Sequence, residues 1–299
     1  MSYKRQNDIS EGASMSKDAP KVKLQLFEAG YCKHPEWVTM QGGSLKAYRI
    51  PAIFACIEHP EAGYILFDTG YAGRFLQATD RLPNRLYRWI TPVSFQEGDS
   101  AAQRLLARGI LPEQIGKIII SHFHADHIAG LRDFPAAELH YAPNAYEAVR
   151  HLSGLPALRR AFLPELLPEN FEERSRPLRE EQEVELPLNV PFTSANDILG
   201  DGSLLAVDLP GHADGQIGLF LSTERHQYLL CADAAWSSRA YREKLPPNKL
   251  ASLIMPDSEA YADSFQRLVI LHERYPDLRI VPSHCPEVWA DWILGGEPL

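Results

Sequence analysis

"IIISHFHADHIAG", residues 118–130, decides how the chain reads. Three isoleucines run into a segment that packs His122, His124, Asp126 and His127 within six positions. The isoleucine run reads as a strand covered on both faces, so the polar cluster sits where a buried strand ends. Residues two apart on an extended segment share a side, and His122 and His124 can therefore grip one ion. A bend after them would turn Asp126 and His127 toward a neighbouring position. Left unpaired beside a core, four such groups would be costly to bury, which favours metal ligation over a structural role.

Three later residues are placed in the same way. His212 ends "SLLAVDLPGH", Asp233 ends "QYLLCAD" and His284 ends "RIVPSH". Each follows an apolar run beside a turn signal, and strand ends let a scaffold aim side chains into one cleft. A catalytic metal takes three or four nitrogen or oxygen donors and keeps one position open. Seven candidates are too many for one ion and suit two, with one carboxylate shared. His34, in "GYCKHPEW", is a further candidate for the cleft. Cys231 and Cys285 read as small buried apolar residues rather than as soft ligands.

On either side of this cluster the chain favours short strands. "KVKLQLFEAG", "SLKAYRIPAIFACIEH" and "GYILFDTG" precede it; their β-branched and aromatic content, punctuated by Gly and Pro, is a strand signal. Between them and the cluster, Ser100 with Gln103 suggests a capping box and Gly109 a helix stop. After the cluster, Asn144 reads as the N-cap of "NAYEAVRHL". Residues 152–187 carry prolines at 156, 164, 168, 177 and 187 and read as a helical insertion, either a lid over the site or a peripheral elaboration. A second strand-rich block follows, with a helix from about Asp257 to Pro276. The expectation is an α/β fold of two sheets packed face to face with helices outside. Residues 1–20 read as a disordered leader and 21–299 as a single domain.

The formal net charge is −9, from 30 basic and 39 acidic residues. Phosphate binding needs a basic surface, so this balance speaks against a nucleic-acid partner. Four scattered cysteines form no CxxC pair and imply a reducing compartment. Neither a secretory signal nor a run of the roughly 20 apolar residues of a membrane span is visible. A soluble, cytoplasmic protein is expected, with neither nucleic acid nor membrane as a partner.

Taken together, "FDTG" (67–70), "SHFHADHIAG" (121–130), "LPGHADGQIG" (209–218), "CAD" (231–233) and "PSH" (282–284) resemble the metallo-β-lactamase-fold superfamily of metal-dependent hydrolases, over nearly all of residues 21–290. The resemblance implies an αββα sandwich with a dinuclear site between the sheet edges. It implies His122, His124 and His212 on one metal, Asp126, His127 and His284 on the other, and Asp233 bridging. Asp68 would stand behind the ligands and orient them. The segments "FEAGYCKHPEW" and "DTGYAGRF" are further similar to the N-acyl homoserine lactone lactonases, the quorum-quenching branch. Such lactonases carry a tyrosine three residues after the bridging aspartate, where this chain has Trp236. They often carry a bulky aromatic where this chain has Ala125, which implies a roomier cleft. Tyr241 is a candidate to reach in from the following loop.

The function implied is hydrolysis of a lactone or other carboxylic ester by a hydroxide shared between two divalent ions, with Asp126 carrying a proton to the leaving group. Zinc is the first metal; iron, manganese or cobalt suit the same donors. The substrate is a small ester or lactone, whose apolar tail would suit the Leu-, Phe- and Trp-rich pieces near 82–95 and 152–171. A homodimer is the assembly carried forward. A thioesterase of the glyoxalase II kind is the alternative on the same ligands. A phosphodiesterase is disfavoured by the charge, and a non-catalytic binder by the complete ligand set.

Overall fold

The computed structural model describes residues 19–248 and 255–296. Of the expected leader, residues 1–18 lie outside the described residues; Ala19 is already buried and the backbone N–H of Val22 bonds the Ser222 carbonyl. Strands β1 (Lys23–Pro35), β2 (Ala47–His59), β3 (Gly63–Phe67), β4 (Val93–Ser94), β5 (Ile115–Ile119), β6 (Glu138–Tyr141) and β7 (Ser175–Pro177) form one sheet, in the order β4-β1-β2-β3-β5-β6-β7. The pairs from β4 to β3 are antiparallel and those from β3 to β7 parallel. Strands β8 (Glu183–Glu185), β9 (Ser194–Asp197), β10 (Leu205–Asp208), β11 (Ile217–Ser222), β12 (Gln227–Ala232) and β13 (Arg279–Pro282) form the second, in the order β13-β12-β11-β10-β9-β8. Only the β12–β13 pair of that sheet is parallel.

Strand periodicity explains the layering. Ala206, Leu219, Leu221, Leu230, Ala232 and Val281 pack into a core shared with Ile57, Leu66 and Ile118 of the first sheet. Their chain neighbours Leu205, Val207, Phe220, Leu229, Cys231 and Ile280 join Tyr261, Phe265, Leu268 and Val269 of the helix Ser258–Arg274. Successive side chains point to opposite faces, so one sheet serves two cores and its strands lose their polar alternation. The result is two mixed sheets packed face to face with helices outside, the sandwich that the sequence resemblance implies.

Local signals held where a side chain makes the bond. The Ser100 hydroxyl accepts from the Gln103 N–H to cap the helix Ala101–Leu106, and Gly109 closes it at φ +78°. The Asp257 carboxylate caps the helix Ser258–Arg274. Asn144 is a correction: the helix Pro143–Glu147 starts with proline in its first turn, and Ala142 is the cap. Proline's fixed φ suits that position and it lacks the N–H a cap would satisfy. The segment 152–187 also departs from a purely helical reading. It has helices at Gly154–Arg159 and Phe171–Arg174, but it also supplies β7 and β8, the edge strands of the two sheets. Three-residue edges rich in Arg, Glu and Pro show no hydrophobic alternation to read.

One buried histidine on β6 makes the fold sensitive to acid. His140 is 8% exposed; burial, with the cations of Lys117 and Arg176 outweighing Glu138, pushes it down to about 4 from 6.5. As pH falls the unfolded chain takes up this proton first, so stability present above about pH 6.5 is lost progressively toward pH 4, by about 3 kcal/mol. Replacing His140 by Gln should remove that component. Urea unfolding of parent and variant between pH 7 and 4.5 measures it as a difference in slope against pH.

Candidate metal centre

The ends of both sheets converge on seven side chains. His122 and His124 follow β5 in extended backbone, and the short helix Ala125–Ile128 then provides the bend that turns Asp126 and His127. Phe123, between the two histidines, points the other way into Tyr141, Tyr146, Phe162 and Phe171. His212 lies on a loop after β10 in which Gln216 Nε2 donates to the Leu209 carbonyl and Ser264 Oγ to that of Pro210. Gly211, at φ +116°, lets this loop touch the helix Ser258–Arg274, since a Cβ there would stand 2.0 Å from the Tyr261 nitrogen. Asp233 follows Ala232, whose φ of +47° accompanies a register shift between β12 and β13. Such strain in a non-glycine residue costs about 1–3 kcal/mol and persists only where surrounding structure holds it.

Three groups of potential ligand atoms lie within 4.8 Å of one another: His122, His124 and His212; His122, His127 and Asp233; Asp126, His127 and His284. His212 Nε2 is 3.0 Å from His124 Nδ1 and 3.1 Å from Asp233 Oδ2. His284 Nε2 is 3.1 Å from the same oxygen and 3.4 Å from Asp126 Oδ2. His127 Nε2 lies 3.4 Å from Asp233 Oδ1. Asp233 thus stands between two groups of histidines. His124 and Asp126 are partly open to solvent and the other five are buried.

Hydrogen bonds behind the ring fix which nitrogen faces inward. His284 Nδ1 donates to the Pro51 carbonyl at 2.7 Å, and His127 Nδ1 to Asp68 Oδ2 at 2.7 Å. Ser121 Oγ donates to the same carboxylate oxygen, leaving a lone pair for His122 Nδ1 at 2.9 Å. In its neutral form each of these rings therefore presents Nε2 as a bare acceptor. Asp68 also accepts from the Ser121 N–H and sits at φ +61°, so a single strained residue orients two rings.

Charge confirms that the donor set suits a cation. His122 Nε2, His127 Nε2 and Asp233 Oδ1 are buried without a hydrogen-bond partner, and buried groups of this kind are rarely left unsatisfied. Burial, reinforced by the neighbouring histidines, holds His122 and His124 well below the usual imidazole range. Burial would lower His127 and His284 too, but Asp68 and Asp233 raise the first and Asp233 the second. Burial opposes ionisation of Asp233, yet His284, His127 and His212 hold its carboxyl well below the usual carboxylate range. Protons on His127 and His284 compensate the acids, and a divalent cation would displace them.

The remaining sequence candidates fall around this cluster. Trp236 lies against it, its ring perpendicular to His212 at 5.5 Å and its N–H donating to Asp233 Oδ2 at 3.2 Å. Ala125 is fully buried, with its N–H on the Ala161 carbonyl, so it lines no open cleft. Tyr241 belongs to the second core and donates to the Ile280 carbonyl, because the helix Ser238–Arg242 carries it outward. His34 is 3.4 Å from Thr91 Oγ1 and joins none of the three ligand groups. Ser121 and the Pro51 carbonyl escaped sequence reading: the serine directly precedes the first clustered histidine, whereas a carbonyl leaves no mark in a sequence.

Metal uptake by the metal-free protein should release protons from His127 and His284, with affinity rising with pH. Calorimetric heats in buffers of different ionisation enthalpy count the protons. Gly211→Ala should lower stability by about 3 kcal/mol and reduce bound metal, read by urea unfolding and elemental analysis.

Comparison with known proteins agrees with this geometry. The family model of the metallo-beta-lactamase superfamily matches residues 56–284. The N-acyl homoserine lactonase AttM of Azorhizobium caulinodans is 28% identical over 288 residues, covering 91% of this chain and 96% of that protein. A probable metallo-hydrolase of Mycobacterium tuberculosis is 26% identical over 265 residues, 83% of this chain and 79% of the relative. An N-acyl homoserine lactone hydrolase solved with the product N-hexanoyl-L-homoserine at its catalytic metal centre superposes with a TM-score of 0.68 at 21% identity, covering 91% of this chain and 96% of that one. The family model's match spans most of the chain and contains every one of the seven clustered side chains, and the chain belongs to the metallo-β-lactamase superfamily.

Proposed function

We propose that this protein is a dinuclear metal-dependent hydrolase that opens a lactone ring. One observation carries the reading: two groups of inward-facing donors meet at a shared carboxylate, Asp233, in a chain aligned along nearly the whole length of a lactonase relative. His122, His124 and His212 would hold one cation, Asp126, His127 and His284 the second, and Asp233 both. Two divalent cations, zinc first and iron, manganese or cobalt on the same donors, would polarise an ester carbonyl and lower the pKa of attacking water.

The chain's own groups do the rest. Asp68, through Ser121 and His127, and the Pro51 carbonyl, through His284, fix ring orientation before substrate arrives. Buried walls exclude bulk water and strengthen every charge inside. Asp126, its side chain 13% exposed, would take the proton of the attacking water and pass it to the departing alkoxide. Leu82, Trp89, Ile90 and Leu155 leave apolar surface exposed in the two pieces read as suited to an acyl tail. All four cysteines are free and buried, in keeping with a cytoplasmic setting.

A thioester substrate is the second reading on the same donors, since the Trp236 N–H is bonded to Asp233 and cannot serve as the lactonases' phenol would. Assays on acyl homoserine lactones and on glutathione-type thioesters separate the two: higher kcat/KM on lactones supports the first, and turnover of thioesters alone overturns it. Asp126→Asn should lower kcat on the preferred substrate by more than about 100-fold, measured together with metal content.

A further inference from the structure

The Pro51 carbonyl that receives His284 Nδ1 must itself be held in place, and three side chains converge beside it. Glu28, on β1, is buried. Its carboxylate accepts from the Arg49 guanidinium and, at 2.8 Å, from the Trp289 indole N–H. The guanidinium in turn lies between two aromatic faces, 3.9 Å from the Tyr31 ring centroid and 4.2 Å from that of Trp289. A guanidinium that is paired with a buried carboxylate and stacked on both sides has little freedom left. The unit ties β1 and β2 to the helical turns Pro286–Val288 and Trp289–Leu294 that follow His284.

Its place along the chain gives it a use. On β2, Pro51 stands two residues after Arg49 and pairs with Tyr31 of β1. Ile53 pairs with Glu28, and its N–H bonds the Ser283 carbonyl at 2.9 Å. Between these two pairs the register shifts, because β1 carries Ala29 and Gly30 where β2 has Ala52 alone. Such a bulge bends its strand and re-aims groups beside a site. Here the Ala29 carbonyl accepts from the Tyr71 N–H, in the loop that begins with Asp68. Asp68 behind His127 and Pro51 behind His284 therefore both lean on this stretch of β1. Trp289 closes the unit from the other end, its backbone N–H on the Cys285 carbonyl, directly after His284 in the chain.

Glu28, Arg49 and Trp289 belong to none of the three ligand groups. We propose that they are positioning residues for the metal centre: they clamp the β1–β2 bulge to the chain after His284 and so set the affinity for the cation of Asp126, His127 and His284, leaving the other cation's affinity unchanged. His122 and His124 follow β5, and the loop of His212 is bonded to the helix Ser258–Arg274 instead. The inference rests on the dinuclear reading above but not on which ester or thioester is hydrolysed.

Zinc titration of the metal-free chain against a chromophoric chelator reads the two equivalents separately. Glu28→Gln should weaken one equivalent about tenfold, the lower end of what lost support behind a ligand costs, and leave the other within about twofold. Trp289→Phe keeps a ring over Arg49 and removes only the N–H; it should weaken the same equivalent about fivefold, and it carries the test if Glu28→Gln does not fold. His284→Ala should abolish that equivalent, and adding Glu28→Gln to it should change the remaining one by less than about twofold. His59→Ala is the control for plain destabilisation. His59 is buried at the far end of β2, where its Nδ1 accepts from the N–H groups of Glu61 and Ala62, and its loss should not discriminate between the equivalents.

A parent that binds two zinc ions, with the clamp variants unchanged or with both equivalents weakened alike, overturns the clamp and leaves the dinuclear reading intact. So does a full loss, on adding Glu28→Gln, at the ion that remains in His284→Ala. A parent that binds fewer than two zinc ions overturns the dinuclear reading and the clamp with it.

Discussion

Imidazole nitrogens and carboxylate oxygens crowd within 3.0–3.4 Å of one another at the heart of this protein, and several of them are buried without a hydrogen-bond partner. Nothing in ordinary core packing maintains that arrangement. The rings of His122, His127 and His284 cannot rotate away because Ser121, Asp68 and the Pro51 carbonyl grip their outer nitrogens. The fold therefore stores electrostatic tension that positive charge relieves. Protons on His127 and His284 relieve it in part; two divalent ions would do so fully.

The architecture supplies the rigidity this needs. No single strand carries the centre. Its members come from the ends of β5, β10, β12 and β13, with Asp68 from the end of β3, so each sheet contributes a share. Two closely packed sheets resist relative motion, and a small displacement of one against the other would separate Asp233 from His127. Strain follows the same logic: Asp68 and Ala232, both at positive φ, sit one at each sheet's contribution to the site. Their conformations are tolerated because the hydrogen bonds and packing around them are many.

Much of this was legible in the chain. The HxHxDH stretch stands out because imidazoles and a carboxylate crowded against an isoleucine strand are too costly to bury unless a cation joins them. The later His and Asp residues stand at strand ends marked by turn residues. The packing of both faces of β10–β12 follows from their unbroken apolar runs. What the sequence concealed is of another kind. The edge strands β7 and β8 are too short and too charged to show periodicity, Asn144 yielded its cap to the preceding proline and alanine, and Tyr241 turned outward with a helix whose direction no local pattern gives. Ala125 misled for a related reason: its small size suggested room, whereas the residue is fully buried with its N–H on the Ala161 carbonyl.

The bond from the Ala125 N–H to the Ala161 carbonyl carries a lesson for anyone reshaping this protein. Ala161 adopts φ +47°, and its neighbour Phe162 backs Phe123, so the outer segment acts as a splint on the turn that bears four of the seven donors. Swapping that segment for one from a cousin, in the hope of changing what enters the cleft, would be no cosmetic exchange. A graft that failed to return a carbonyl to the same spot would unsettle the turn and the donors it carries.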